Sequence, residues 1–93
     1  MGMVYRGMRT RALVRLRCPD DEISCTGRLF VRLNGANLGM ARFDLRGGES
    51  RLVAVRLTRA ERSRLRRAGV LYAKAIAFDA AGNRQVRELL FQI

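Results

Sequence analysis

Arg11-Ala12-Leu13-Val14-Arg15-Leu16-Arg17-Cys18 decides the fold class: Ala12, Val14, Leu16 and Cys18 fall on one side of an extended chain, Arg11, Arg15 and Arg17 on the other. Successive side chains of a strand point to opposite faces, so this period-two alternation marks a strand buried on one face only. The pattern recurs on the C-terminal side. In Arg28 to Leu33, residues Leu29, Val31 and Leu33 turn inward, and Arg28 and Arg32 turn outward. Asn34-Gly35 follows at once, a pair that accepts positive φ and suits a tight hairpin. The chain returns through Leu38 to Leu45, turns at Gly47-Gly48 and runs again from Arg51 to Leu57, with Val53, Val55 and Leu57 on one face.

Val70 to Asp79 sets small Ala73, Ala75 and Ala77 on one face and Tyr72, Ile76 and Phe78 on the other. Gln85 to Ile93 aligns Leu89, Phe91 and Ile93, and a short strand near Met3 to Arg6 brings the number to about seven. One segment breaks the alternation. Thr58-Arg59-Ala60-Glu61 reads as a capping box, Ala60, Leu65 and Ala68 form a narrow helical stripe, and Gly69 is a natural stop. The spacing predicts one short helix over about 58–68, between two strands. Short strands with a turn signal after each predict an all-β sandwich or barrel. With no internal repeat or linker, residues 1–93 read as one domain.

The 93 residues carry 19 Lys+Arg against 8 Asp+Glu, a net charge of +11, and Lys74 is the only lysine. Such a balance suits phosphate-bearing or other anionic partners. The arginines are spread through almost every segment, however, which favours the codon bias of a GC-rich genome. No histidine is present, which removes the commonest general base and metal ligand together. No stretch has the roughly 18 apolar residues of a membrane span. Met1 to Arg9 lacks the apolar region of a signal peptide, so the expectation is either a domain of a longer secreted protein or a cytosolic chain.

Four features bear on chemistry. Cys18 and Cys25 bracket a six-residue loop and read either as a structural disulfide or as two free thiols; neither CxxC spacing nor a metal-ligand set is present. Asp20, Asp21 and Glu22 within that loop read as a solvated turn beside arginines, because nothing supplies the six or more oxygens calcium needs. Arg59, Arg62, Arg64, Arg66 and Arg67 make the helix the first place to look for polyanion binding, although no aromatic lies beside it to stack on bases. Asp79, Gly82 and Asn83 read as turn chemistry: Asp79 accepts backbone amides, Gly82 can take the positive φ that closes the turn, and Asn83 tolerates unusual φ as well. Serines without histidine, and no glycine-rich phosphate loop, leave no catalytic constellation, metal site or cofactor motif to name.

The order of Val14-Arg15-Leu16-Arg17-Cys18-Pro19, Cys25-Thr26-Gly27-Arg28-Leu29, Gly48 to Leu57 and Phe78-Asp79-Ala80-Ala81-Gly82-Asn83 resembles bacterial immunoglobulin-like (Ig-like) repeats of surface and secreted proteins. The resemblance spans about residues 12–93. It implies an Ig-like β-sandwich outside the cytoplasm, with Cys18 bridged to Cys25 and no common active site. It also implies a non-enzymatic structural or adhesive role, with a protein or cell-envelope polymer, or neighbouring copies through sheet edges, as partner. A virion-associated Ig-like domain is a further alternative. The rival from another class is a small cytoplasmic nucleic-acid-binding module that uses the basic helix and has free thiols. Tyr72, near the start of the penultimate strand, is expected to hydrogen-bond back to the strand-connecting segment as a tyrosine corner does.

Overall fold

Alternation resolves into seven strands and one helix in a computed structural model that describes all 93 residues. The order is β1 (Gly2–Met8), β2 (Arg11–Arg17), β3 (Ser24–Leu33), β4 (Ala36–Arg46), β5 (Ser50–Arg56), α1 (Arg59–Ala68), β6 (Val70–Phe78) and β7 (Arg84–Gln92). Two antiparallel sheets form, ordered β1-β2-β5 and β4-β3-β6-β7. The expected all-β sandwich is thus the observed one. The fourth strand joins the sheet of β3, β6 and β7, while the fifth crosses to pair with β2.

The inner faces supply the core. Ala12, Val14 and Leu16 on β2 and Leu29 and Val31 on β3 are wholly buried, and no buried residue is polar or charged. Each buried Leu or Val contributes roughly 1.5–3 kcal/mol relative to exposure. Alanines at 73, 75 and 77 keep the β6 side thin. Tyr5 and Phe91 stack across the open side between the sheets, with ring centroids 6.1 Å apart.

Turns fall where the residues put them. Asn34 (φ 51°) and Gly35 (φ 78°) close the β3–β4 hairpin, with Leu33 opposite Ala36. β1 is longer than expected and carries a register shift between Tyr5 and Gly7. β3 starts at Ser24, so Cys25 enters the strand as a buried residue opposite Leu45.

The helix matches its capping signals. The Thr58 hydroxyl accepts from the Glu61 amide at 3.1 Å, and the Glu61 carboxylate accepts from the Thr58 amide at 2.8 Å. Gly69, in the left-handed region, donates to the Leu65 carbonyl at 2.9 Å. The apolar stripe is narrower than expected: Leu65 alone is buried, while Ala60 and Ala68 remain exposed. No helix is long and apolar enough to cross a membrane.

One expectation fails. The Tyr72 side chain projects from the outward face of β6, opposite Arg32 and Leu90, and makes no side-chain hydrogen bond, so there is no tyrosine corner. Asn83 does not take positive φ, since Asn34 is the only non-glycine residue that does. Asn83 serves the turn by donating both its backbone and side-chain N–H groups to Asp79.

Candidate functional site

The outward face of the four-stranded sheet carries the least expected surface of the molecule. Period two sends Thr26, Arg28, Phe30 and Arg32 outward on β3, and Tyr72, Lys74, Ile76 and Phe78 outward on β6. The register arranges them in rows across four strands. One row runs Asp44, Thr26, Phe78, Arg84; the next Arg42, Arg28, Ile76, Val86; the third Met40, Phe30, Lys74, Glu88. A trough of about 870 Å³, open to solvent, lies over these rows.

Three of its guanidiniums have no internal partner. Arg28, Arg42 and Arg84 line the trough and engage in no hydrogen bond or ion pair. Arg51, also in the trough, and Arg17, Arg32, Arg62 and Arg66 have internal partners, while other arginines, Arg11, Arg15 and Arg56 among them, are as free as these three. Arg17 donates to both oxygens of Asp20 at 3.0 and 3.1 Å, Arg51 pairs with Glu49 at 2.6 Å, and Arg32 donates to the Gly35 carbonyl at 2.9 Å. Asp44, the acidic residue of the trough, accepts from the Thr26 hydroxyl at 2.9 Å. Between the free guanidiniums stand Phe30, Ile76 and Phe78, with Phe78 44% exposed. An anionic group here would meet charge-assisted donors without first breaking an internal pair.

The helix arginines divide. Arg62 donates to the Leu57 carbonyl at 2.7 Å and the Thr10 carbonyl at 3.2 Å, which clamps α1 to the β1–β2 connection. Arg66 reaches the Arg9 carbonyl at 3.4 Å. Arg59, Arg64 and Arg67 make no such bond and are exposed. Two of the five expected polyanion-binding residues thus help to hold the helix, which has Leu65 as its sole buried anchor.

The remaining sequence-level candidates are structural. Cys18 and Cys25 are disulfide-bonded with Cα atoms 5.8 Å apart, and both are buried. Closing so short a loop stabilises the fold by about 2.5 kcal/mol in the chain-entropy account. The loop is laced to the β4–β5 turn: Cys18 donates to Glu49, Gly48 donates to Cys18 and Gly47 donates to Ile23, all backbone to backbone. Any side chain on Gly47 would collide with the Glu22 carbonyl. Asp20 is paired with Arg17, and no group of three His, Cys, Asp or Glu stands together to hold a metal ion.

Asp79 organises the β6–β7 turn. Its carboxylate accepts from the Asn83 amide at 2.8 Å, the Ala81 amide at 3.0 Å and the Asn83 side chain at 3.1 Å. These donors, the Asn83 amide first, hold its pKa below the usual carboxylate value. Glu49 is lowered likewise, chiefly by the Arg46 amide and then by the Arg51 side chain.

Sequence reasoning did not single out the sheet face. Its one signal lay in β6, where Tyr72, Ile76 and Phe78 occupy the side opposite the small core-facing alanines. A solvated sheet face ordinarily carries polar residues there. No protein-family model, curated protein or solved structure matches the chain.

Proposed function

We propose that this chain is a non-enzymatic Ig-like module with a structural or adhesive role in an extracellular or cell-surface protein or assembly. The observation that supports this reading is the buried Cys18–Cys25 bridge, which closes one end of the sandwich. Disulfides form and persist in oxidising compartments and are rare where thiol reductants prevail. A rigid sandwich with a covalent closure holds an outward binding face in fixed shape, and adhesion requires that of a module. Residues whose rotamers are fixed by a packed scaffold lose little entropy on binding.

The test is intact mass after thiol alkylation, on protein taken from its producing cells without reductant. Both cysteines should resist labelling until they are reduced. Immediate labelling of both sinks the extracellular assignment. The cytosolic nucleic-acid reading would then be tested through salt dependence, with a slope of roughly 0.9 in log affinity per phosphate neutralised.

A further inference from the structure

We infer that the outward face of β4-β3-β6-β7 docks an extended acidic protein segment. Its carboxylates would lie on Arg28, Arg42 and Arg84, and its apolar side chains on Phe30, Ile76 and Phe78. The inference rests on the adhesive-module reading only in that the module binds a macromolecular partner.

Three observations define the occupant. The first is charge. Three guanidiniums without internal partners sit in one trough, on a chain of net charge +11 that draws anions from a distance. Guanidinium binds carboxylate in a bidentate fork, and the bond strengthens as the pair leaves water. A second copy of this chain is the wrong occupant, because two such faces would press arginine against arginine.

The second is composition. Protein interfaces are enriched in aromatic residues, Met and Arg, and this face carries Phe30, Phe78, Met40 and three free arginines, with Lys74 and Glu88 confined to its third row. Phe78, Val86 and Leu90 are 44%, 50% and 53% exposed, an apolar outlay with no role in the core.

The third is spacing. Phe78, Ile76 and Phe30 fall in three successive rows, about 7 Å apart along the strands at roughly 3.4 Å per residue. An extended peptide presents same-face side chains at that interval. Phe30 lies opposite Lys74, four residues from Phe78 and so about 14 Å along the strand, with aliphatic Ile76 in the row between.

The experiment titrates the whole 93-residue chain with a random copolymer of glutamate and tyrosine, with poly-glutamate, with polygalacturonate and with a thymidine oligonucleotide. The copolymer should bind about tenfold tighter than poly-glutamate, since its rings reach Phe30 and Phe78. Phe78→Ser, at an exposed position, should erase most of that difference while the melting temperature holds. Phe30→Ser with Phe78→Ser should erase all of it. Arg28→Gln, Arg42→Gln and Arg84→Gln together should weaken the copolymer at least about tenfold. The matched triple Arg59→Gln, Arg64→Gln and Arg67→Gln removes the same charge from the helix and should change affinity by no more than about twofold.

Equal losses from the two triples would overturn the site, because net charge alone would then explain binding. Polygalacturonate or the oligonucleotide binding as tightly as the copolymer would overturn the protein partner. The two proposals fail separately. Masked thiols without copolymer binding remove the docking surface alone, and free thiols with binding intact remove only the extracellular assignment.

Discussion

The two outward faces of the sandwich are both basic, yet they differ in what stands between the cations. On the three-stranded sheet, Arg11, Arg15 and Arg17 of β2 and Arg56 of β5 surround Leu13, Leu52 and Ala54, and no aromatic ring faces out. On the four-stranded sheet, Arg28, Arg42 and Arg84 surround Phe30, Ile76 and Phe78. Each face even sets like charges directly opposite one another, Arg11 across from Arg56 and Arg28 across from Arg42. Such pairs cost a few tenths of a kcal/mol or more wherever they occur. Arginine density therefore marks nothing by itself in this chain. Aliphatic side chains and unpaired guanidiniums occur on both faces, and only the aromatic rings, Phe30 and Phe78, distinguish one from the other.

The comparison holds only if both outward faces are surplus to folding, and that is open to measurement. The largest effect belongs to the inner side of the same strand. Leu29→Ala, at a wholly buried position one residue from Phe30, should cost about 2–5 kcal/mol in denaturant unfolding. A cost below about 1 kcal/mol would mean that β3 does not separate a core face from a free face. A matched pair comes next, since Leu52 is 41% exposed on one sheet and Phe78 is 44% exposed on the other. Leu52→Ser and Phe78→Ser should each shift stability by no more than about 0.5 kcal/mol. Only the second should weaken binding of the acidic copolymer. Equal binding losses would erase the distinction between the faces.

The smallest effect concerns the turns that terminate each sheet. Asp79 at the β6–β7 turn and Glu49 at the β4–β5 turn both titrate below their ordinary values, chiefly through backbone amides. A carboxylate with a lowered folded pKa contributes stability above its ordinary range, and the contribution is lost as pH falls through the folded value. Asp79→Asn should therefore be less stable than the parent at neutral pH, and the two melting curves should converge in acid. Glu49→Gln should show the same convergence. A gap that stays constant down to low pH would mean that the carboxylate charge is not what holds the turn.

Much of the fold is legible in particular residues. Alternation in Arg11 to Cys18 placed Ala12, Val14, Leu16 and Cys18 in the core, where all four are wholly buried. Thr58, Glu61 and Gly69 defined the helix ends, and Asn34-Gly35 defined a hairpin whose two residues both take positive φ. The candidate site was far less legible. The helix drew attention because its arginines are clustered in sequence, while Arg28, Arg42 and Arg84 are scattered over 57 positions and meet only through strand pairing. Arg62 shows the converse error. A cation within a basic run reads as free until the Leu57 and Thr10 carbonyls are found beside it.

Periodicity, capping and turn chemistry act over a few residues, and these the chain settled locally: strands, helix, hairpin and the inward side of each element. Which sheet each strand joins was decided by long-range contacts, as when β5 leaves β4 to pair with β2. So was the clustering of rings and free arginines on one outward face. Period two tells only that a residue points away from the core. What it points toward depends on neighbours brought close by pairing between segments distant in sequence.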